Sequence, residues 1–269
     1  MVSEAFSRKV KQNVAENFDR SLELYEAFEN RHRFFAEMAS TLAERIRLKP
    51  HSTVLDVGCG NGISARTLNE EFFCRVVGVD LSTKMIEAGR RSCKSESIRL
   101  IVGDGERLED VLDGQVFDYV LYNASIFIFP DVEKTIRGAV GCLRPGGGIA
   151  FSFYPFISDR AGRDLLLEAF GRLGAPPPRF RVITDYDAAC RAVERFCGPV
   201  THHRWVRPLD LGFLQDFFSI PAQSASLFPG CDYGTRQEKV KRLFAGLDDM
   251  AEEGSIVWRM AESTKPRSA

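Results

Sequence analysis

At 269 residues, 44% of them hydrophobic, the chain is long enough to bury one α/β core with an appended subdomain. Its 36 basic and 37 acidic residues nearly cancel, which leaves no overall field to draw in nucleic acid. No apolar run reaches the ~18 residues of a membrane span, and neither an apolar signal core near Met1 nor a C-x-x-C pair among the seven cysteines is present. The expectation is a cytoplasmic protein with reduced thiols and no metal site.

The segment up to Leu48 reads as helical. Phe6, Val10, Val14 and Phe18 recur at helical spacing, Leu24, Phe28, Phe34, Phe35 and Leu42 continue an apolar face, and Pro50 closes it. The first strand then follows as Val54, Leu55 and Val57, an apolar run as in a buried parallel strand, and it enters a turn with Gly58, Gly60 and Gly62. A helical pattern starts near Ile63, so the turn offers bare backbone N–H groups to a ligand. The dinucleotide fingerprint G-x-G-x-x-G fails because Ile63 stands where its third glycine belongs, and no Gly-Lys-Ser/Thr follows for a phosphate loop. Asp56, beside the turn, would repel a pyrophosphate and attract a cation such as an ammonium group.

A second buried-strand run, Val76 to Ser82, carries Asp80, 20 residues beyond Gly60, the distance at which a strand-end carboxylate meets a ribose diol. A third begins at Ile98 and ends in Gly103-Asp104-Gly105-Glu106. There Asp104 can accept from an exocyclic amine, and the adjacent backbone N–H of Gly105 can donate to a ring nitrogen. Strands four and five read as Phe117 to Ser125 and Gly147 to Tyr154. Helices are expected over 160–173 and 185–196, with the loop APPPRF between them, and Pro199 to Val206 and Ser255 to Met260 are strand-like. Between those last strands lies an insertion at about 207–253, with a helix over 235–252. Phe213, Leu214, Phe217, Phe218, Leu227 and Phe228 make it too apolar for a loose loop and suggest a lid, or a lid with a core of its own.

Taken together, residues 50–155 resemble the class I S-adenosylmethionine-dependent methyltransferases, and NFDRSLELYE, Asn17 to Glu26, is similar to the entry helices of the small-molecule BioC-like and ubiquinone-type branch. The resemblance implies a doubly wound, mostly parallel seven-stranded sheet of the Rossmann-like type, with N-terminal helices and a helical lid between the last two strands. It divides the chain into a helical cap (1–48), a cofactor-binding core (49–155) and a completing region (156–269). It implies that Asp56, Gly58 and Gly60 hold the methionine part of S-adenosylmethionine, that Asp80 binds the ribose, and that Leu81 and Met85 sandwich the adenine. Asp104 with Gly105 would read the adenine edge, Asn123 would line the methyl-transfer region, and Tyr25 would either fold over the cofactor or edge the helical packing.

The acceptor expected is a small or carrier-bound, partly apolar molecule, with S-adenosylhomocysteine as the co-product. YNAS, at 122–125, lacks the Asn/Asp-Pro-Pro-aromatic tetrad of amino-base methylation and the extra acids of aminopropyl transfer. Carboxyl O-methylation of the malonyl-carrier type and a non-catalytic cofactor-binding or assembly role stay open. No catalytic residue is assigned; Tyr154, His202 and His203 are the nearest candidates for a base. Cys59, inside the turn, is expected to fill a tight space, and the sequon Asn123-Ala124-Ser125 carries little weight without an export signal.

Overall fold

A computed structural model describes residues 3–174, 183–228, 230–247 and 254–267. Three helices open the chain: α1 (Glu4–Asp19), α2 (Leu22–His32) and α3 (Phe34–Arg45). The core alternates β1 (Thr53–Val57), α4 (Ile63–Phe72), β2 (Arg75–Asp80), α5 (Thr83–Ser92), β3 (Ile98–Val102), the short α6 (Glu109–Leu112), β4 (Phe117–Tyr122), α7 (Val132–Gly141) and β5 (Leu143–Ser158). Then come α8 (Leu165–Arg172), α9 (Tyr186–Phe196), β6 (Thr201–Pro208), α10 (Leu211–Ser219), α11 (Pro221–Leu227), α12 (Tyr233–Ala245) and β7 (Ser255–Thr264). The seven strands lie in the order β3-β2-β1-β4-β5-β7-β6. The first five pair in parallel and β7 runs antiparallel between β5 and β6, as the resemblance implies.

The chain order reverses between β1 and β4, so their C-terminal ends border the crevice where open α/β sheets take ligands. The last four residues of β1 are buried, which is why its sequence is nearly continuous in apolar residues. One apolar cluster packs α3, α4 and the inserted helices on one side, and a second packs α7 and α9 on the other.

Strand β5 runs past the expected stop at Tyr154. Its pairing with β7 shifts register between Ser152 and Pro155, so Pro155 sits at an irregularity where the missing N–H removes no regular ladder bond. The helix expected from residue 160 begins at Leu165, because Asp164 caps it by accepting from the Leu166 and Leu167 N–H groups at 2.9 and 3.1 Å. The expected loop 175–180 and the end of the helix expected to reach 252 lie outside the described residues.

The inserted helices and the N-terminal helices share one aromatic cluster. Phe213 and Phe217 of α10 lie 5.3 and 5.6 Å from Phe28 of α2, and Phe34 lies 4.9 Å from Trp258 of β7. Asp216 ties the same contact from outside, accepting from Arg31 at 2.8 Å with His32 at 2.8 Å. Glu29 is buried and its carboxylate accepts from the Phe35 and Ala36 N–H groups at 2.9 and 3.1 Å, capping α3 across the left-handed Arg33. The inserted helices therefore pack against the N-terminal helices.

Candidate functional site

The glycine turn after β1 is folded back onto β2. The Gly58 and Cys59 N–H groups donate to the Val79 carbonyl at 2.8 and 3.2 Å, and Gly58, Gly60 and Gly62 all have positive φ. Gly58 is the tightest of the three. A Cβ there would lie 2.5 Å from the Ser125 Cβ at a φ of +77°, while the Ser125 hydroxyl donates to the Val57 carbonyl at 2.6 Å and holds the two strand ends together. Gly58→Ala is expected to cost about 2–4 kcal/mol, from left-handed strain plus overpacking, read as a lower urea midpoint at unchanged slope. An unchanged midpoint would mean that the β1–β4 crevice yields freely.

Asp80 braces this turn. Its Oδ2 accepts from the Gly60 N–H and its Oδ1 from the Ser82 N–H, each at 2.8 Å. Burial pushes its carboxyl above the usual range against the pull of those two backbone donors. Asp56 is different in kind. It is 0% exposed, and neither carboxylate oxygen has a hydrogen-bond partner among the described residues. Burial, with a smaller push from Asp80, raises its carboxyl to about 7. A buried carboxylate without a donor is costly by itself and suits a cationic partner.

At the end of β3, the Asp104 Oδ1 accepts from the Glu106 N–H at 2.9 Å and its Oδ2 from the Lys11 ammonium at 2.7 Å. Lys11 also pairs with Glu106 at 2.5 Å, so α1 is clamped across this strand end. Burial alone would lower the Lys11 ammonium, but its two carboxylate partners raise it on balance. Gly105 has no room for a side chain, since a Cβ would lie 2.7 Å from both Phe129 and Val57.

These groups line one cavity with Tyr25, Phe35, Gly58, Gly60, Asp80, Leu81, Asp104, Gly105, Asn123, Ser125 and Phe129 on its wall. Tyr25 stacks on Phe35 with ring centroids 4.5 Å apart, so it both packs and faces the cavity. Asn123 lines the cavity, yet its amide is engaged: Nδ2 donates to the Phe35 carbonyl at 2.9 Å and to the Ser64 hydroxyl at 2.8 Å. Two expected contacts are not on this wall. Asp56 lies beneath it, and Met85 is 0% exposed, turned into the core of α5 while its N–H bonds the Ser82 cap. Cys59 is buried, its Sγ sitting 2.7 Å from where a Gly78 Cβ would be, which is a packing role.

A second cavity of about 780 Å³ adjoins the first between α1, the end of β4, β5 and α11. Val14, Phe18, Ala124, Ile128 and Gln223 line both. Tyr154 lies on its wall, its hydroxyl 3.0 Å from that of Ser226, and burial pushes this phenol well above its ordinary value, so it is a hydrogen-bonding group and not a base. His202 and His203 are on β6, away from both walls, where His202 meets the Tyr186 hydroxyl at 2.9 Å. Sequence reasoning missed Lys11, Phe35, Ser125, Phe129 and Gln223. The run SIFIFP after β4 was a signal for Ser125 and Phe129; the others reach the site through tertiary packing.

Residues 55–151 match the family described as a methyltransferase domain. The chain is 37% identical over 118 residues to the sarcosine/dimethylglycine N-methyltransferase of Halorhodospira halochloris, covering 43% of this chain and 42% of that protein. It is 25% identical over 145 residues to the malonyl-[acyl-carrier protein] O-methyltransferase of Priestia megaterium, covering 54% of this chain and 52% of that one. The matched stretch thus spans about half the length of these curated relatives. In fold, the chain is similar to the crystal structure of the [4+2]-cyclase SpnF, at a TM-score of 0.65 and 14% identity over 96% of this chain and 97% of that one. The acids Asp56, Asp80 and Asp104 and the glycine turn all lie within residues 55–151, the stretch that matches the methyltransferase domain.

Proposed function

We propose that the protein transfers a methyl group from S-adenosylmethionine to a small, partly apolar acceptor held in the second cavity. The observation that carries this reading is the junction of two cavities, one walled by acidic strand ends and one largely apolar, at the switch point of the sheet. When bound, S-adenosylmethionine supplies an electrophilic methyl group on a cationic sulfur. Asp56 would draw the ammonium group toward the turn, with the backbone of Gly58 and Gly60 alongside. Asp80 has acceptor capacity beyond its two backbone bonds for a ribose diol. Leu81 and Phe129 supply apolar walls for the base, with Met85 of α5 buried beneath them, and Asp104 and the Gly105 N–H meet its polar edge. Tyr25 and Asn123 border the methionine end.

Neither cavity wall presents a histidine among the described residues, and the transfer leans on positioning and exclusion of water. As the acceptor's lone pair forms its bond to the methyl carbon, the carbon–sulfur pair returns to sulfur and the acceptor's proton passes to water. The division into cap, core and completing region, and a cytoplasmic location, belong to the same reading. Methyl-tritiated S-adenosylmethionine incubated with an apolar small-molecule extract should yield label in an organic-soluble product with the native protein and none with Asp80→Ala. Tight S-adenosylhomocysteine binding without labelled product from any fraction would favour a non-catalytic role.

A further inference from the structure

The wall shared by the two cavities has one polar side chain among the described residues. Val14, Phe18, Ala124 and Ile128 are apolar or small, and the fifth member is Gln223, a buried residue of α11. Gln223 is 7% exposed, and its carboxamide makes no hydrogen bond to any described residue, although its backbone N–H and carbonyl are both engaged. Its carboxamide is not among the fully enclosed unpartnered groups, so it opens onto the cavities and is available to a ligand at the passage between the acidic one and the apolar one.

We propose, on the methyltransferase reading above, that Gln223 orients the reacting atom of the acceptor, and that this acceptor is an uncharged, largely apolar molecule with a hydroxyl group at its reacting end. A carboxamide can accept the O–H hydrogen bond and thereby fix the direction of the oxygen's remaining lone pairs. It cannot compensate the charge of a carboxylate, and it offers an ammonium group no countercharge. Beyond the shared wall the second cavity is mixed but nearly uncharged: Phe6, Val10, Phe127 and Ala222 are apolar, Asn13, Asn17, Tyr154 and Ser226 are neutral and polar, and Lys9 is its one charged side chain among the described residues. Lys9 lies five residues before Val14 on α1, ~7.5 Å along the helix axis from the shared wall, so it serves the far end of a ligand.

The test is a matched pair of probes, 1-naphthol and 1-methoxynaphthalene, titrated calorimetrically into the full chain saturated with S-adenosylhomocysteine, with sarcosine and malonyl-pantetheine as charged alternatives. The native protein should prefer 1-naphthol by about tenfold, and Gln223→Leu should bring the two affinities within twofold while S-adenosylhomocysteine binds both proteins within threefold. Gln223→Met, with a longer chain, replaces the leucine variant if that one does not fold. Retention of the preference in the variant, no binding of 1-naphthol, or binding of a charged probe alone overturns the proposal. A large loss of S-adenosylhomocysteine affinity in the variant overturns it too, by assigning Gln223 to the cofactor. Failure of the native protein to bind S-adenosylhomocysteine at all would instead sink the methyltransferase reading on which the proposal rests.

Discussion

Asp56→Asn is expected to raise the melting temperature of the cofactor-free protein at pH 8 relative to pH 5, and to weaken S-adenosylhomocysteine binding on the order of 100-fold. The two effects share one cause. The Asp56 carboxyl, ordinarily near 3.8, is pushed to about 7 by burial without a donor and by Asp80. Between those values the folded chain holds a proton that the unfolded chain has released, so stability falls as pH rises, by up to about 1.4 kcal/mol per unit. The penalty is absent below the unfolded value and complete above about 7. Over roughly three units it has an upper limit of roughly 4 kcal/mol, which for a chain this long is several degrees.

Asparagine at 56 carries no such penalty, and so the gap between variant and native melting temperatures should widen from pH 5 to pH 8. A bound ammonium group reverses the sign, because it favours the ionised carboxylate. Native affinity for S-adenosylhomocysteine should therefore climb by up to tenfold per pH unit to about 7 and then level, while the variant's affinity stays low and flat. Thermal unfolding and calorimetric titration at pH 5, 6, 7 and 8 check both halves. A native affinity independent of pH would mean that Asp56 is a structural charge with no ligand to meet.

The parts of the site legible in the sequence are those where one short segment carries the whole signal. A buried strand that ends in an acid, followed by glycines, states its own geometry: Val54 to Gly62 must turn where it does, because Gly58 has no space for a Cβ. Asp80 and Asp104 are likewise set by their own strands. Met85 shows the limit of that logic. A position near the start of α5 was readable, but which way its side chain turns depends on the packing beneath, and that buries it. Lys11 and Gln223 carried no local mark, since a lysine on an amphipathic helix and a glutamine in PAQSASL read as solvated. They enter the site through packing of distant segments, α1 against α5 and α11 and α10 against α2.

For Asp80→Asn the expected result is a loss of S-adenosylhomocysteine affinity near 100-fold with a fall in stability of about 1–3 kcal/mol, and the ratio of the two decides what the residue is for. Both oxygens already accept backbone N–H groups, from Gly60 and Ser82 at 2.8 Å, so part of any effect is loss of a brace between the turn and α5. Hydrogen bonds to a charged acceptor contribute about 1.5–3 kcal/mol each. The amide keeps one acceptor and turns a donor toward the other N–H, so one such bond is forfeited and the fold is weakened without being lost. A brace alone would lower affinity only through a looser turn, by a few-fold. A residue that also receives a diol loses charge-assisted bonds made only with ligand bound, on the order of 3 kcal/mol, which is about 100-fold in affinity. Calorimetric titration beside urea unfolding separates the cases: a stability loss of this size with affinity within threefold of native would leave Asp80 as the brace of the glycine turn and nothing more.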